Sequence, residues 1–267
     1  MRWRNLLALC QKPVLDLGAE VGLQTGMTES SHRSPLARLD ESLLSDLKPF
    51  AKLDKRQIRR ILDQATSRRY DEGTTLFDEG ASAERFFLLL DGFIRVIHIT
   101  ETGEQVTALH IPAGQMFGIA RALGRDTYPA TSVTASEALI LSWPMRLWDD
   151  FLSYEGFSIE AAKTVGIRVG EMNTRLTEMA TQHVEQRVAN ALLRLINQTG
   201  RPVADGIEIN FPITRQDLSE LTATTLHTIS RTLSAWEKQG LVKSQRKKIT
   251  VTNPHKLVEF SQSKTNN

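Results

Sequence analysis

Few folds can accommodate the segment Ile213-Thr214-Arg215-Gln216-Asp217-Leu218-Ser219-Glu220-Leu221-Thr222-Ala223-Thr224-Thr225-Leu226-His227-Thr228-Ile229-Ser230-Arg231. Asp217 to Leu221 reads as a helical turn with Leu218 and Leu221 three apart on one face. Thr222 to Thr224 interrupt it, because β-branched and hydroxyl residues favour turns and caps over helix interiors. Thr224 or Thr225 can cap a second helix whose inward face is Leu226, Ile229 and Leu233. Its outward face carries Thr225, His227, Thr228, Ser230 and Arg231, a hydrogen-bonding surface suited to the major groove of double-stranded DNA. Downstream, Gly240-Leu241-Val242 and Ile249-Thr250-Val251 flank Gln245-Arg246-Lys247-Lys248, a β-hairpin with a basic tip. Together these elements predict a winged helix-turn-helix.

Charge is placed accordingly. The whole chain has a net charge of only +2, but residues 183–267 carry 12 Lys+Arg against 7 Asp+Glu, whereas residues 1–182 are net acidic. The basic excess lies where phosphate binding needs it. Arg231 is the candidate for guanine readout, with Ser230, His227, Thr225 and Thr228 beside it. Thr214, Arg215 and Gln216, and Lys243, Arg246, Lys247 and Lys248 on the wing, are candidate phosphate contacts.

Upstream the texture changes. From Arg68 to Trp143, Glu72-Gly73, Glu79-Gly80, Asp91-Gly92, Thr102-Gly103 and Ala113-Gly114 punctuate apolar or alternating runs such as Phe86-Phe87-Leu88-Leu89-Leu90. Regular turns between short strands predict a β-sandwich or barrel, with Pro112 ending a strand and Pro144 marking the exit. Residues from about Leu36 to Ser67 read as helical. A further helical stretch runs from Ser158 to about Ile196, where Val165, Val169, Met172, Leu176, Met179 and His183 step by 4, 3, 4, 3, 4. That is a heptad seam, and it predicts a parallel homodimer. The domains expected are a leader over 1–35, a β-barrel over 36–156, a dimerisation helix over 157–182 and the DNA-binding domain over 183–260. The opening residues imitate a short signal peptide, and Met27 offers a natural start, so residues 1–26 are read as an over-long start.

Composition narrows the chemistry. Cys10 is the single cysteine, so no intrachain disulfide forms and a cluster needing about four thiolates is excluded. No window of about 18 apolar residues exists, so no membrane partner and a cytoplasmic location are expected. The barrel holds no Gly-x-Ser-x-Gly, His-Glu-x-x-His or phosphate loop, which argues against an enzyme.

Barrel, long helix and winged helix-turn-helix in this order resemble the cyclic-AMP receptor protein and FNR superfamily of transcription regulators over roughly residues 40 to 255. Ile213 to Leu218, Thr228-Ile229-Ser230-Arg231 and Trp236 to Val242 carry the resemblance, with Leu90-Asp91-Gly92 and Gly114-Gln115-Met116-Phe117-Gly118 supporting it. It implies an α+β fold: an N-terminal double-stranded β-helix (a cupin-like jelly roll) as sensor domain, a long dimerisation helix and a C-terminal winged helix-turn-helix. Members that bind cyclic nucleotides carry Gly-Glu for the ribose and Arg-Ser or Arg-Thr for the phosphate. Gly118-Ile119 and Pro129-Ala130 stand here instead, so cyclic AMP is not expected.

Phe117 to Leu123, Tyr128 to Thr131 and Leu226-His227-Thr228 are similar to the branch of nitric-oxide-responsive regulators of nitrite and nitric oxide reductase genes. That likeness implies an activator of denitrification or nitrosative-stress genes that works with RNA polymerase, with nitric oxide as effector. A regulator with a different effector, or none, is the alternative. Nitric oxide binding points to noncovalent haem b with a histidine ligand, for which His98, His110 and His183 are the candidates. Met116, Phe117, Leu123, Tyr128 and Trp148 could line an apolar pocket. His227 stands where the FNR branch has Glu, so the expected operator is TTG and CAA half-sites in inverted repeat with about eight bases between.

Overall fold

Five consecutive apolar residues, Phe86 to Leu90, cannot all face one side of a strand, so the strand that holds them must be covered on both faces. The computed structural model, which describes residues 40–262 apart from 101, 102 and 104, places them so. Eight strands precede the long helix: β1 (Thr66–Tyr70), β2 (Thr75–Phe77), β3 (Arg85–Asp91), β4 (Phe93–Ile99), β5 (Gln105–Pro112), β6 (Met116–Phe117), β7 (Thr131–Thr134) and β8 (Ala138–Pro144). They form two antiparallel four-stranded sheets in the orders β1-β8-β3-β6 and β2-β7-β4-β5, the double-stranded β-helix of a jelly roll. Phe87 and Leu89 of β3 point into the barrel with Ile94, Ile111, Phe117 and Ile140. Phe86 and Leu88 point the other way, into a second core with Trp143, Trp148, Phe151 and Phe157.

Two short helices, α1 (Ser42–Ser45) and α2 (Lys55–Asp63), cover that outer face. Asp54 and Gln57 form a reciprocal capping box at the start of α2, with bonds of 2.8 and 2.9 Å. Trp143 donates its indole N–H to the carbonyl of Ile61 at 2.8 Å and ties α2 to the sheet. The expected helical stretch to Ser67 ends sooner. Thr66 and Ser67 are already strand residues paired with Ser142 and Leu141, because the buried stripe Ile58, Ile61, Leu62 is complete by then.

After α3 (Trp148–Leu152), the helix α4 (Glu155–Thr181) runs for 27 residues. It does not continue to Ile196: Gln182 is extended, and α5 (Val184–Thr199) starts a new direction. The heptad spacing crosses this break unaltered, so periodicity alone could not detect it. β9 (Gly200–Val203), β10 (Gly206–Ile209), α6 (Arg215–Leu221), α7 (Leu226–Lys238), β11 (Val242–Gln245), β12 (Lys248–Val251) and α8 (Pro254–Gln262) complete the chain. Their sheet has the order β11-β12-β10-β9. Val188, Leu192, Leu195, Leu218, Leu221, Ile229, Leu233 and Trp236 form the core of this second half. The fold is thus α+β with a barrel, a long helix and a winged helix-turn-helix. None of the described helices is long and apolar enough to cross a membrane. The leader over 1–35 and the proposed start at Met27 lie outside the described residues.

The turn between β3 and β4 depends on Gly92, whose φ is +91°. A Cβ there would stand 2.3 Å from the Glu137 carbonyl oxygen and 2.9 Å from the Ala138 Cα, both backbone atoms. At Gly80, with φ +80°, the same atom would meet nothing within 4 Å. Gly92→Ala is therefore expected to cost more than the ~1–2 kcal/mol of a left-handed alanine, and Gly80→Ala no more than that. Denaturant unfolding of the two variants checks the difference; equal losses would contradict the clash.

Candidate functional site

Thr214 caps α6: its hydroxyl accepts the Asp217 N–H at 3.0 Å, and the Asp217 carboxylate accepts the Thr214 N–H at 2.7 Å. That reciprocal pair fixes the first turn of the helix and leaves its exposed amides toward solvent. The tight turn to the next helix passes through Ala223, a non-glycine residue at φ +48°. Thr225 then caps α7 by accepting the Thr228 N–H at 3.2 Å. Ile229, Thr232, Leu233 and Trp236 are the buried face of α7. Leu226, expected inside by its spacing, is 47% exposed, because the first turn of α7 projects beyond the hydrophobic core.

The outward face is as expected in position: Thr225, His227 and Arg231 are exposed, with Thr228 and Ser230 half-buried between them. Arg231 forms no ion pair with any described residue, so its guanidinium is available for a base edge. The basic wing is less free than its sequence suggests. Lys243 pairs with Asp205 at 2.6 Å, Lys248 with Glu208 at 3.1 Å, and Lys247 with Glu72 of the barrel at 2.7 Å. Arg215 lies 3.4 Å from the Ser244 hydroxyl and 3.9 Å from Glu237. Arg246 alone among the four wing cations makes no ion pair with a described residue. The Lys243–Asp205 and Lys247–Glu72 pairs are half-exposed and contribute ~0–1 kcal/mol each, so a phosphate can displace them, whereas Glu208 is buried and also holds Arg201.

A second site lies where α4 passes the barrel. A cavity of about 630 Å³ opens there, within the range of small-molecule pockets. Phe77, Val96, Leu109, Phe117 and Ile111 form its barrel wall, and Val165, Val169 and Met172 of α4 close the other side. Gly118-Ile119 and Pro129-Ala130 also line it, so the positions expected to be apolar are so within the cavity itself. Gly118 has no room for a side chain, since a Cβ would approach Phe87 to 2.7 Å. Four polar residues reach the cavity: Glu79, His98, Arg125 and Arg168. Arg168 donates to the Met116 carbonyl at 2.6 Å, and burial lowers its pKa to about 10, so it remains charged at neutral pH. Arg125 and Arg168 were not among the expected site residues, because neither belongs to a strand or seam pattern. Of the five residues proposed to line a pocket, Phe117 and Leu123 do. Tyr128 is buried behind the wall, stacked on Phe77 with ring centres 3.8 Å apart, and Met116 and Trp148 belong to the outer core.

The three candidate histidines are not brought together. His98 stands at the cavity, with Nδ1 3.0 Å from the Glu79 carboxylate, which leaves its other ring nitrogen unoccupied. His110 is buried against Phe211, with ring centres 4.8 Å apart, where β5 meets α6. Desolvation pulls its pKa down to about 4, against the opposing field of Asp217. His183 is exposed at the start of α5, its backbone N–H donating to Gln186 at 3.0 Å, and so is not a seam position.

The other seam residues form an apolar stripe that the single chain leaves uncovered. Val169, Met172, Leu176 and Met179 are 48%, 51%, 63% and 40% exposed, while Val165 is half-buried against the barrel. Val165, Val169 and Met172 thus line the cavity as well as belonging to the predicted seam, which neither pattern alone revealed.

Comparison with known proteins accords with this division. Residues 67–155 match the cyclic nucleotide-binding domain and residues 186–260 the Crp-like helix-turn-helix domain. The global nitrogen regulator of Synechocystis sp. is 26% identical over 221 residues, 81% of this chain and 96% of that protein. The fumarate and nitrate reduction regulatory protein of Escherichia coli is 23% identical, over 71% of this chain and 76% of its own. The structure of FixK2 from Bradyrhizobium japonicum matches with a TM-score of 0.66 at 18% identity, over 75% of this chain and 99% of that one.

The geometry separates two kinds of contact. Arg231→Ala is expected to weaken binding to the preferred duplex by about 1–3 kcal/mol and to relax preference at one base pair. Arg246→Ala should weaken all duplexes alike and reduce the dependence of log K on log salt by about one unit. Binding-site selection with salt titration distinguishes them, and an altered sequence preference for Arg246→Ala would remove the wing from the phosphate contacts.

Proposed function

The chain belongs to the CRP/FNR family of transcription regulators, and from that premise we propose a homodimer that activates nitrite and nitric oxide reductase genes when nitric oxide appears. The uncovered stripe on α4 supports the dimer: paired along it, two copies would present their α7 helices to major grooves one turn apart, ~34 Å. The operator proposed is a TTG–CAA inverted repeat with about eight intervening bases. Activation would proceed through contact with RNA polymerase.

The observation that carries the effector reading is the cavity. At Gly118-Ile119 and Pro129-Ala130 its walls offer apolar surface where members that bind cyclic nucleotides carry their ribose and phosphate contacts. Haem b fits the donor set present. His98 would hold it, with Glu79 orienting the imidazole, and Arg125 and Arg168 would supply cations for its carboxylates. When bound, the haem supplies an iron centre able to take a diatomic gas. Because α4 is both cavity wall and seam, an occupied cavity would bias how the two copies sit, a population shift rather than a new contact to DNA. A second reading rests on Arg125 and Arg168 alone: an apolar anion of small size would satisfy both without any metal.

Titration of the purified protein with haem tests the first reading. A saturable absorbance change, abolished in His98→Ala, altered by nitric oxide and accompanied by tighter binding to the inverted repeat, is the expected result. Absence of a spectral change, or a change that survives in His98→Ala, would remove His98 and haem from the mechanism.

A further inference from the structure

The start of α6 and the wing tip, both assigned to DNA phosphates above, face this chain's own barrel. Asp217 uses one carboxylate oxygen to cap α6 and the other to pair with Arg95 of β4. Thr107 of β5 donates to Glu220 at 2.9 Å. Lys247 at the wing tip meets Glu72 at 2.7 Å, so a barrel carboxylate stands where a phosphate oxygen would be bound. Phe93 and His110 pack at a tilt against Phe211 with ring centres 4.7 and 4.8 Å away. Thr214, Gln216 and Lys247 line the remaining cleft of about 300 Å³ together with Glu72, Arg95 and His110.

Two features mark this contact as one built to open. Its ion pair at the wing tip is half-exposed on both sides and therefore weak. Two buried polar atoms within it, His110 Nδ1 and Arg95 Nε, have no hydrogen-bond partner. A permanent interface satisfies such atoms, whereas here separation would return them to water.

We propose that this contact is an autoinhibitory latch in which the barrel edge and the DNA backbone compete for the start of α6 and the wing tip, with His110 as its buried keystone. The inference rests on the phosphate roles of Thr214, Gln216 and Lys247, and not on the identity of the effector. The recognition face of α7 stays exposed in the latched pose, so the latch withholds the grip on phosphates while leaving the base-reading surface formed.

His110 also makes the latch respond to acid. Buried, it titrates at about 4, chiefly through desolvation; released to water it regains the ordinary value of 6.5. Asp217 on α6 favours its charged form, while Arg95 on β4 and Arg175 on α4 oppose it. Glu72, Glu220 and Lys247 border the cleft on one side of the ring, and Glu160, Arg168 and Glu171 on the other. The open form therefore binds the proton more readily, and the latched form loses ground as pH falls below 6.5. Between pH 7.5 and 5.5 the linkage shifts the equilibrium toward the open form about tenfold.

The test uses the full chain without effector and two readouts: affinity for the inverted repeat and for a random duplex, and the distance between fluorophores on the barrel and the wing. Glu72→Gln with Arg95→Met is expected to bind both duplexes about tenfold more tightly and to lengthen the distance. Glu72→Gln alone, at an exposed turn, should do the same to a smaller degree and guards against misfolding of the double variant. An unchanged distance overturns the latch, including the case of tighter binding without opening, which would make Glu72 only a source of long-range repulsion. Because the random duplex is included, a wrong operator or effector assignment leaves this result intact. In His110→Phe the tenfold acid response of the distance should vanish, and its persistence would remove His110 from the device.

Discussion

Arg168 and Arg175 fasten α4 to the barrel, and the disposition of both functional halves depends on that fastening. Each guanidinium donates to a backbone carbonyl, of Met116 and of Ala108, at the edge of the barrel. Both are strongly desolvated, which lowers each pKa to about 10, yet both remain protonated at neutral pH and make charge-assisted bonds. They are seven residues apart and so lie on the same flank of the helix. The stripe Val165, Val169, Met172, Leu176 and Met179 runs immediately beside that flank. Fixing the arginines under the barrel edge therefore fixes which way the stripe faces, and it leaves Val165, Val169 and Met172 over the cavity mouth.

This arrangement gives one helix three duties with different physical requirements. The barrel side needs directed polar bonds, the cavity side needs apolar surface, and the free side needs an apolar stripe without a partner in the same chain. An amphipathic helix ordinarily has one buried face. Here the polar anchor sits at the border of the apolar face, so a small rotation about the anchor would change the cavity and the seam together. Packed cores resist graded deformation, and such a helix is suited to switching between discrete poses.

The parts legible from sequence were those written in short-range patterns. The run Phe86 to Leu90, the glycine turns and the two helices of the DNA-binding motif each stand within a few residues of their own cause. What escaped was set by residues far apart in the chain. Lys247 finds Glu72 across 175 positions, and Arg95 finds Asp217 across 122, so the wing appeared freer than it is. Arg168 and Arg175 carry no sequence signal of their role, because nothing local marks a guanidinium destined for a carbonyl on a strand. The break after Thr181 was hidden for a different reason. The step of four from Met179 to His183 continues the heptad, while the competing signal, Gln186 accepting the His183 N–H, needs knowledge of which residue is the cap. Leu226 failed the inward assignment because spacing fixes the angle of a side chain around a helix, not whether the core extends to that turn.

These long-range contacts also explain why the structure can respond to a signal without remaking its core. The cores beneath α2, inside the barrel and around α7 are apolar, and opening the latch would touch only the edge of the last, where Phe93 of β4 packs against Phe211. Between the barrel and the DNA-binding half lie a half-exposed Lys247–Glu72 pair, a more buried Arg95–Asp217 pair, a tilted contact of His110 with Phe211, and polar atoms without hydrogen-bond partners. The exposed pair contributes ~0–1 kcal/mol, so most of the resistance to opening resides in Arg95–Asp217 and the contacts of Phe211. Under the proposed mechanism, a bias from the cavity would reach the DNA-binding half through α4 and act on these joints rather than on the cores.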